Sequence, residues 1–200
     1  MRCLYCDGLI SKEKIFSLLI KKDVLCPTCR RKMGLKKAYV RLDDLLVETF
    51  YDYDSLFRDV LIQYKECMDE ALSEVFLYEY EDYLKIKYHG YRTLYVPSSQ
   101  AKLELRGFNH LELIFAGLDL KKVEGLHKRK ELIQEGKNRK EREAMIDNYF
   151  YEGERLGKVL IVDDVMTTGS SLRGAYKAIA PYCERVKLLC LARGKKTLSL

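Results

Sequence analysis

Apolar side chains recur along the middle of this chain at the spacing of a helix face. In residues 54–66, DSLFRDVLIQYKE, Leu56, Phe57, Val60, Leu61 and Tyr64 fall three and four apart and predict an amphipathic helix. Residues 69–88 repeat the pattern through Leu72, Val75, Phe76, Tyr80, Tyr83 and Leu84 and predict a second helix. Elsewhere the runs are short. TLYVP, residues 93–97, predicts a buried strand stopped by Pro97. Residues 109–118 predict a helix capped by Asn109, and residues 123–129 a further strand. Residues 159–162 form a continuous apolar run ending in acids, the pattern of a strand buried on both faces of a parallel sheet. A helix over 170–181, ended by Pro181, and a strand over 185–192 follow, while residues 39–42 predict a short strand nearer the start. Strands alternating with helices predict an α/β fold with a mainly parallel sheet flanked by helices.

Composition adds bounds. The chain has 200 residues and is 48% hydrophobic, enough for a packed core. No apolar run approaches the roughly 20 residues needed to span a bilayer. MRCLYCDGLI lacks the apolar stretch of a secretory signal. The expectation is a soluble, intracellular protein. Net charge is +6 but uneven: residues 1–42 hold 11 basic and 3 acidic side chains, residues 43–84 hold 2 and 13, and residues 85–200 hold 23 and 14. Two basic segments flanking an acidic one suit anionic partners at both ends, or neutralise one another in the folded state.

Seven cysteines in a reducing compartment point to metal rather than disulfides. Cys3 and Cys6, then Cys26 and Cys29, form two CxxC knuckles that supply four thiolates to a tetrahedral Zn²⁺. Four thiolates leave no open coordination position, so the ion is structural. A redox CxxC is the rival reading. Cys67, Cys183 and Cys190 lie in helix or strand patterns and are expected to be buried fillers.

The densest chemistry lies in residues 159–171, VLIVDDVMTTGSS. A strand delivers Asp163 and Asp164 to its carboxyl end, where α/β sheets bind ligands. A Thr–Gly–Ser turn then opens a helix whose amide groups favour an anion. A ribose 5-phosphate satisfies both halves: the loop takes the phosphate, and the carboxylates take the ribose hydroxyls or help hold a Mg²⁺ carried by a diphosphate. The sequence is neither a Walker loop nor a dinucleotide fingerprint.

This stretch resembles the PRPP-binding motif of type I phosphoribosyltransferases. The resemblance implies that Asp163 and Asp164 bind ribose hydroxyls and that Thr167, Thr168, Gly169, Ser170 and Ser171 cradle the 5′-phosphate. Purine-salvage members carry an Asp at the position of Thr167, and a Thr is a poor general base, so purine salvage is disfavoured and no catalytic residue is assigned. With the four-Cys module, CPTCRRKM (residues 26–33), RGFNH (residues 106–110) and Gln134, Glu141, Arg142 and Phe150 ahead of the motif, the chain resembles the ComF-type late competence proteins. His110 replaces a Gln of that family, and Met145 an Asn. The resemblance implies a zinc-ribbon-like module over 1–38 and a type I phosphoribosyltransferase-like domain over 39–200. It also implies Pro97, Ser98, Ser99, Arg106, Gln134, Arg139 and Arg142 as contacts to a diphosphate or nucleic acid. The role it implies is natural transformation in the cytoplasm, at the inner face of the membrane through the DNA-uptake machinery. Single-stranded DNA and a helicase-like competence ATPase are the implied partners, with Mg²⁺ accompanying PRPP where the site is active. A PRPP-dependent transferase acting on a nitrogen nucleophile is the alternative.

Residues 121–143 are dense in Lys and Arg and read as a flap over a diphosphate, a DNA track, or a solvated surface. Of the 15 Tyr, six cluster between residues 78 and 95 (Tyr78, Tyr80, Tyr83, Tyr88, Tyr91 and Tyr95), where core packing is favoured over base stacking.

Overall fold

The cysteine-bearing stretch runs directly into the sheet. The computed structural model describes residues 1–10, 23–128 and 149–194. Helix α1 (Pro27–Met33) starts at Cys26 and stops at Gly34, whose φ of 59° suits only a residue without a side chain. Strand β1 (Leu35–Leu42) begins there, earlier than the expected residue 39, and turns at Asp43 and Asp44 into β2 (Leu45–Asp52). Asp54 caps α2 (Ser55–Glu66) by accepting the Phe57 amide at 3.1 Å.

The single helix expected over residues 69–88 is instead broken into a 3₁₀ turn (Glu70–Leu72), α3 (Ser73–Leu77) and α4 (Glu81–Lys87). At the break the Tyr80 amide bonds the Leu77 carbonyl at 2.9 Å, and the Tyr80 ring packs on Phe50 with centroids 4.1 Å apart. Strand β3 (Arg92–Tyr95) leads to α5 (Gln100–Arg106) and α6 (His110–Phe115). A small antiparallel arm, β4 (Leu126–Lys128) with β5 (Tyr149–Tyr151), precedes β6 (Leu156–Met166), α7 (Ser170–Ile179) and β7 (Cys183–Arg193).

The main sheet has the order β1-β2-β7-β6-β3, parallel throughout except for β1. Both faces are covered, as a parallel sheet requires. On one, Val159, Ile161 and Leu188 meet Leu172, Ala175 and Ile179 of α7. On the other, Phe50, Leu160 and Leu189 meet Phe57, Leu61 and Tyr64 of α2 and Leu111 and Phe115 of α6. Cys3, Ile10, Val24, Leu25, Cys29 and Met33 join this second cluster, so the cysteine-bearing stretch shares its core with the sheet. Each such side chain contributes roughly 1.5–3 kcal/mol when fully buried.

Among the described residues one carboxylate is almost wholly buried. Glu48 of β2 is 1% exposed. It accepts hydrogen bonds from Lys87 Nζ and the Tyr88 hydroxyl, both at 2.7 Å, and from the Tyr83 hydroxyl at 2.9 Å. Burial opposes ionisation, yet these donors hold the carboxyl below its ordinary range. The tyrosines of this region therefore serve packing and a buried ion pair.

Candidate functional site

Strand β6 does not end at Val162. Its pairing with β7 continues through Asp163↔Cys190 and Val165↔Ala192 to Met166, so the two acids are strand residues rather than the loop beyond it. The turn is Thr167–Thr168–Gly169, with both threonines exposed. Gly169, at φ 71°, is the N-cap of α7. A Cβ there would lie 2.4 Å from Leu42 Cδ1, so the position excludes any side chain twice over. As the N-cap, Gly169 offers no side chain to the first-turn amides of α7. The nearest substitute is Thr168 Oγ1, 3.4 Å from the Ser170 amide and 3.1 Å from Ser170 Oγ. First-turn amides and hydroxyls thus stand together where the helix dipole is positive, an arrangement that suits a phosphate. Arg173 of α7 grips the Asp43 carboxylate with Nε and Nη2, the latter at 3.2 Å, and pins the β1–β2 turn beneath this loop.

The two acids have separate fates. Residues 159 and 161 face the α7 layer and residues 160 and 162 the α2–α6 layer. Asp164 follows the second set: Oδ2 takes both Lys65 Nζ of α2 and His110 Nε2 at 2.7 Å, and Oδ1 takes the Val165 amide at 2.6 Å. Asp163, half-buried, has as its one hydrogen bond among the described residues the Asp164 amide on Oδ1 at 2.9 Å. Desolvation pushes Asp163 up to about 7 against the pull of Lys65.

Desolvation, then the charges of Arg106 and Lys102, lowers Lys65 to about 8. Desolvation and the cations Lys65, Arg106 and Lys102 hold His110 well below its ordinary value. Asp164 pulls the other way, but geometry favours the neutral ring. Nε2–H donates to Asp164, and Nδ1 is buried without a hydrogen-bond partner among the described residues, so a second ring proton would be stranded.

RGFNH earns its order from these contacts. Gly107, at φ 74°, ends α5. Phe108 packs on Tyr64 with centroids 5.6 Å apart. Asn109 caps α6 by accepting the Leu111 and Glu112 amides and donating to Glu112 Oε1 at 2.9 Å. The Tyr64 hydroxyl bonds the His110 carbonyl at 2.7 Å, seating His110 against Asp164. Arg106 is largely buried and engages Glu66 at 3.0 Å, so in this structure its guanidinium is committed to α2. Pro97, Ser98 and Ser99 are half-buried at the exit of β3, and Ser99 opens α5 without a side-chain cap bond. Gln134, Arg139 and Arg142, with Glu141 and Met145, lie outside the described residues. Lys65 was not foreseen. The available signal was its position four residues after Leu61, which puts a cation beside the buried stripe of α2.

The four N-terminal cysteines do converge. The Sγ atoms of Cys3, Cys6, Cys26 and Cys29 all lie within 4.8 Å of one another, with Cys6 and Cys26 3.7 Å apart. A tetrahedral Zn²⁺ with bonds of about 2.3 Å requires sulfur–sulfur edges of roughly 3.8 Å, so the set fits a structural zinc. Burial opposes ionisation of Cys3, but the amides of Cys26, Cys6 and Tyr5 draw it down to about 7, while burial and the neighbouring thiols push Cys29 up. A bound cation would relieve that conflict by stabilising all four thiolates. Among the remaining cysteines Cys190 is buried and Cys183 partly so, but Cys67 is exposed. It follows the last turn of α2, where the chain leaves the core, and it is not the filler its helical context suggested.

Among the described residues no helix is long and apolar enough to cross a membrane. No family model matches the chain. Over 131 residues it is 30% identical to the competence protein ComFC of Streptococcus pneumoniae (strain ATCC BAA-255 / R6), a match covering 64% of this chain. The chain spans 59% of the length of that curated relative. The likeness is thus to a competence protein over part of each chain.

Proposed function

We propose that the chain is a cytoplasmic component of competence, the uptake of DNA in natural transformation, built around a site for a ribose 5-phosphate unit such as PRPP. One observation carries the reading. At the carboxyl edge of a central parallel strand, a helix opens on a glycine that admits no side chain, beside the half-buried carboxylate of Asp163. In the proposed complex the 5′-phosphate lies on the α7 amides with Thr167, Thr168, Ser170 and Ser171. Asp163 accepts a ribose hydroxyl, and the Cys₄ zinc keeps the N-terminal module folded over residues 1–38. The likeness to ComFC supports the competence role. Single-stranded DNA and a helicase-like ATPase are the partners this role implies.

Calorimetric titration of the zinc-loaded protein with ribose 5-phosphate tests the site. Micromolar binding that is lost in Asp163→Asn and Thr168→Ala is expected. Absence of heat in the wild type would dismiss the ribose-phosphate reading. Single-stranded DNA binding that weakens steeply with salt is expected to accompany it, and salt-independent or absent binding would remove DNA from the proposal.

A PRPP-dependent transferase is the second reading, favoured by the displacement of Asp163 to about 7, a value suited to moving a proton at neutral pH. Pyrophosphate release in the presence of a panel of nitrogen nucleophiles would establish it, and a silent panel would leave the binding role.

A further inference from the structure

Sites that bind a diphosphorylated ribose between paired carboxylates are expected to recruit a divalent cation. The carboxylate pair here does not suit one. Three of the four acceptor positions of Asp164 are taken, Oδ1 by the Val165 amide and Oδ2 by both Lys65 and His110, so a metal ion there would have to displace Lys65 or share Oδ1 with an amide. Mg²⁺ asks for near-octahedral oxygen ligands at roughly 2.0–2.1 Å, and the neighbouring groups that act on Lys65 include two further cations, Arg106 and Lys102, with Asp163 as the opposing anion. We propose that Lys65 is the resident cation of this site and that the ribose-phosphate ligand is bound without a divalent metal ion. This inference rests on the ribose-phosphate reading given above.

The placement of Lys65 supports a fixed role. Its side chain and that of Asp164 are each 15% exposed. The neighbouring Tyr64 is fully buried and hydrogen-bonded to the His110 carbonyl, and Phe57, Val60 and Leu61 of the same helix are buried. Helix α2 therefore cannot withdraw the ammonium without unpacking. Asp164 neutralises it from one side, and His110, held neutral, adds no charge. An ammonium carries three N–H donors, and the described contacts of Lys65 use one. The others can meet phosphate oxygens arriving over the α7 loop. Lys65 is thus both the ion-pair partner of Asp164 and a cation presented to the ligand, the two services a metal ion would combine.

The test compares ribose 5-phosphate and PRPP binding to the zinc-loaded wild type, each in Mg²⁺-free buffer prepared over chelating resin and with excess Mg²⁺, alongside Mn²⁺ titration followed by electron paramagnetic resonance. Expected are PRPP affinities within about threefold in the two conditions, well under the tenfold worth about 1.4 kcal/mol, and no Mn²⁺ site at the carboxylates. In Lys65→Met, PRPP binding without Mg²⁺ should fall at least about tenfold, with Mg²⁺ restoring part of it and Mn²⁺ gaining a site at the vacated Asp164. Ribose 5-phosphate binding accompanied by PRPP binding only with Mg²⁺ would overturn the proposal and leave the site standing. Failure of both ligands in every condition would overturn the ribose-phosphate reading itself. The wild-type arms decide the matter even where Lys65→Met does not fold.

Discussion

Gly169→Ala should destabilise the protein by about 2–5 kcal/mol, for two causes that can be separated. A φ of 71° is left-handed, and an L-residue held there costs about 1–2 kcal/mol. The new methyl would also sit 2.4 and 2.9 Å from the two terminal carbons of Leu42, which is itself only 6% exposed. Forcing that extra carbon into a filled space costs about 1–3 kcal/mol. Leu42→Ala alone should cost about 2–5 kcal/mol as a core truncation, but it removes the wall that the methyl strikes. In the Leu42→Ala background, Gly169→Ala should therefore cost only its backbone share, about 1–2 kcal/mol, leaving a coupling of about 1–3 kcal/mol between the two sites. Urea unfolding of the four proteins of this cycle gives each quantity directly. Equal costs in both backgrounds would show that Leu42 is not the wall. A loss under about 0.5 kcal/mol in the wild type would show that the loop does not need its glycine.

Acid should act on His110 and Asp163 in opposite directions. The contribution of His110 is present above its ordinary 6.5 and is lost as pH falls toward about 3; that of Asp163 is present below 3.8 and is lost as pH rises through about 7. Between these limits each slope is up to about 1.4 kcal/mol per pH unit and the two oppose. His110→Gln should gain stability on acidification and Asp163→Asn should lose it, in urea midpoints taken from pH 7 to 4; parallel profiles would contradict the assignment. Elemental analysis should find one zinc per chain, lost in Cys26→Ser together with a lower melting temperature, because Cys3, Cys29 and Met33 belong to the main core; a zinc-free variant that melts like the wild type would refute that coupling. Glu48→Ala should cost about 1–3 kcal/mol by leaving the buried Tyr88 hydroxyl without its acceptor, and Tyr88→Phe about 1 kcal/mol; a loss below about 0.5 kcal/mol for Glu48→Ala would mean the group behaves as a surface one.

Legibility in the sequence tracked local physics. Helix α2 follows from apolar spacing and the capped start of α6 from Asn109, and both were foreseen, whereas the Asp54 cap of α2 was not. The phosphate-type loop was visible because glycine, hydroxyls and a helix start are all local. Strand β2 escaped notice, since Glu48 interrupts an otherwise apolar LLVETFYD and its partners Tyr83, Lys87 and Tyr88 lie far along the chain. The break at residues 78–80 was hidden for the same reason: Tyr80 leaves the helix to reach Phe50. Both acids of the motif looked equivalent in the sequence, but strand alternation and Lys65, 99 residues away from Asp164, made them different.

The strand that joins the halves of the sheet comes last. Among the described strands β7 alone bonds both β2 and β6, and it occupies residues 183–193. During synthesis the β1–β2 hairpin and the β3–β6 pair must wait, each presenting an open apolar edge, until this segment is available. Long-range parallel pairing is slow to form, and unpaired edges of this kind invite intermolecular pairing. A ribosome stalled before residue 183 would therefore hold two fragments of a sheet with no seam between them. Yield in the cell should depend more on how quickly those eleven residues are delivered than on any single contact in the finished molecule.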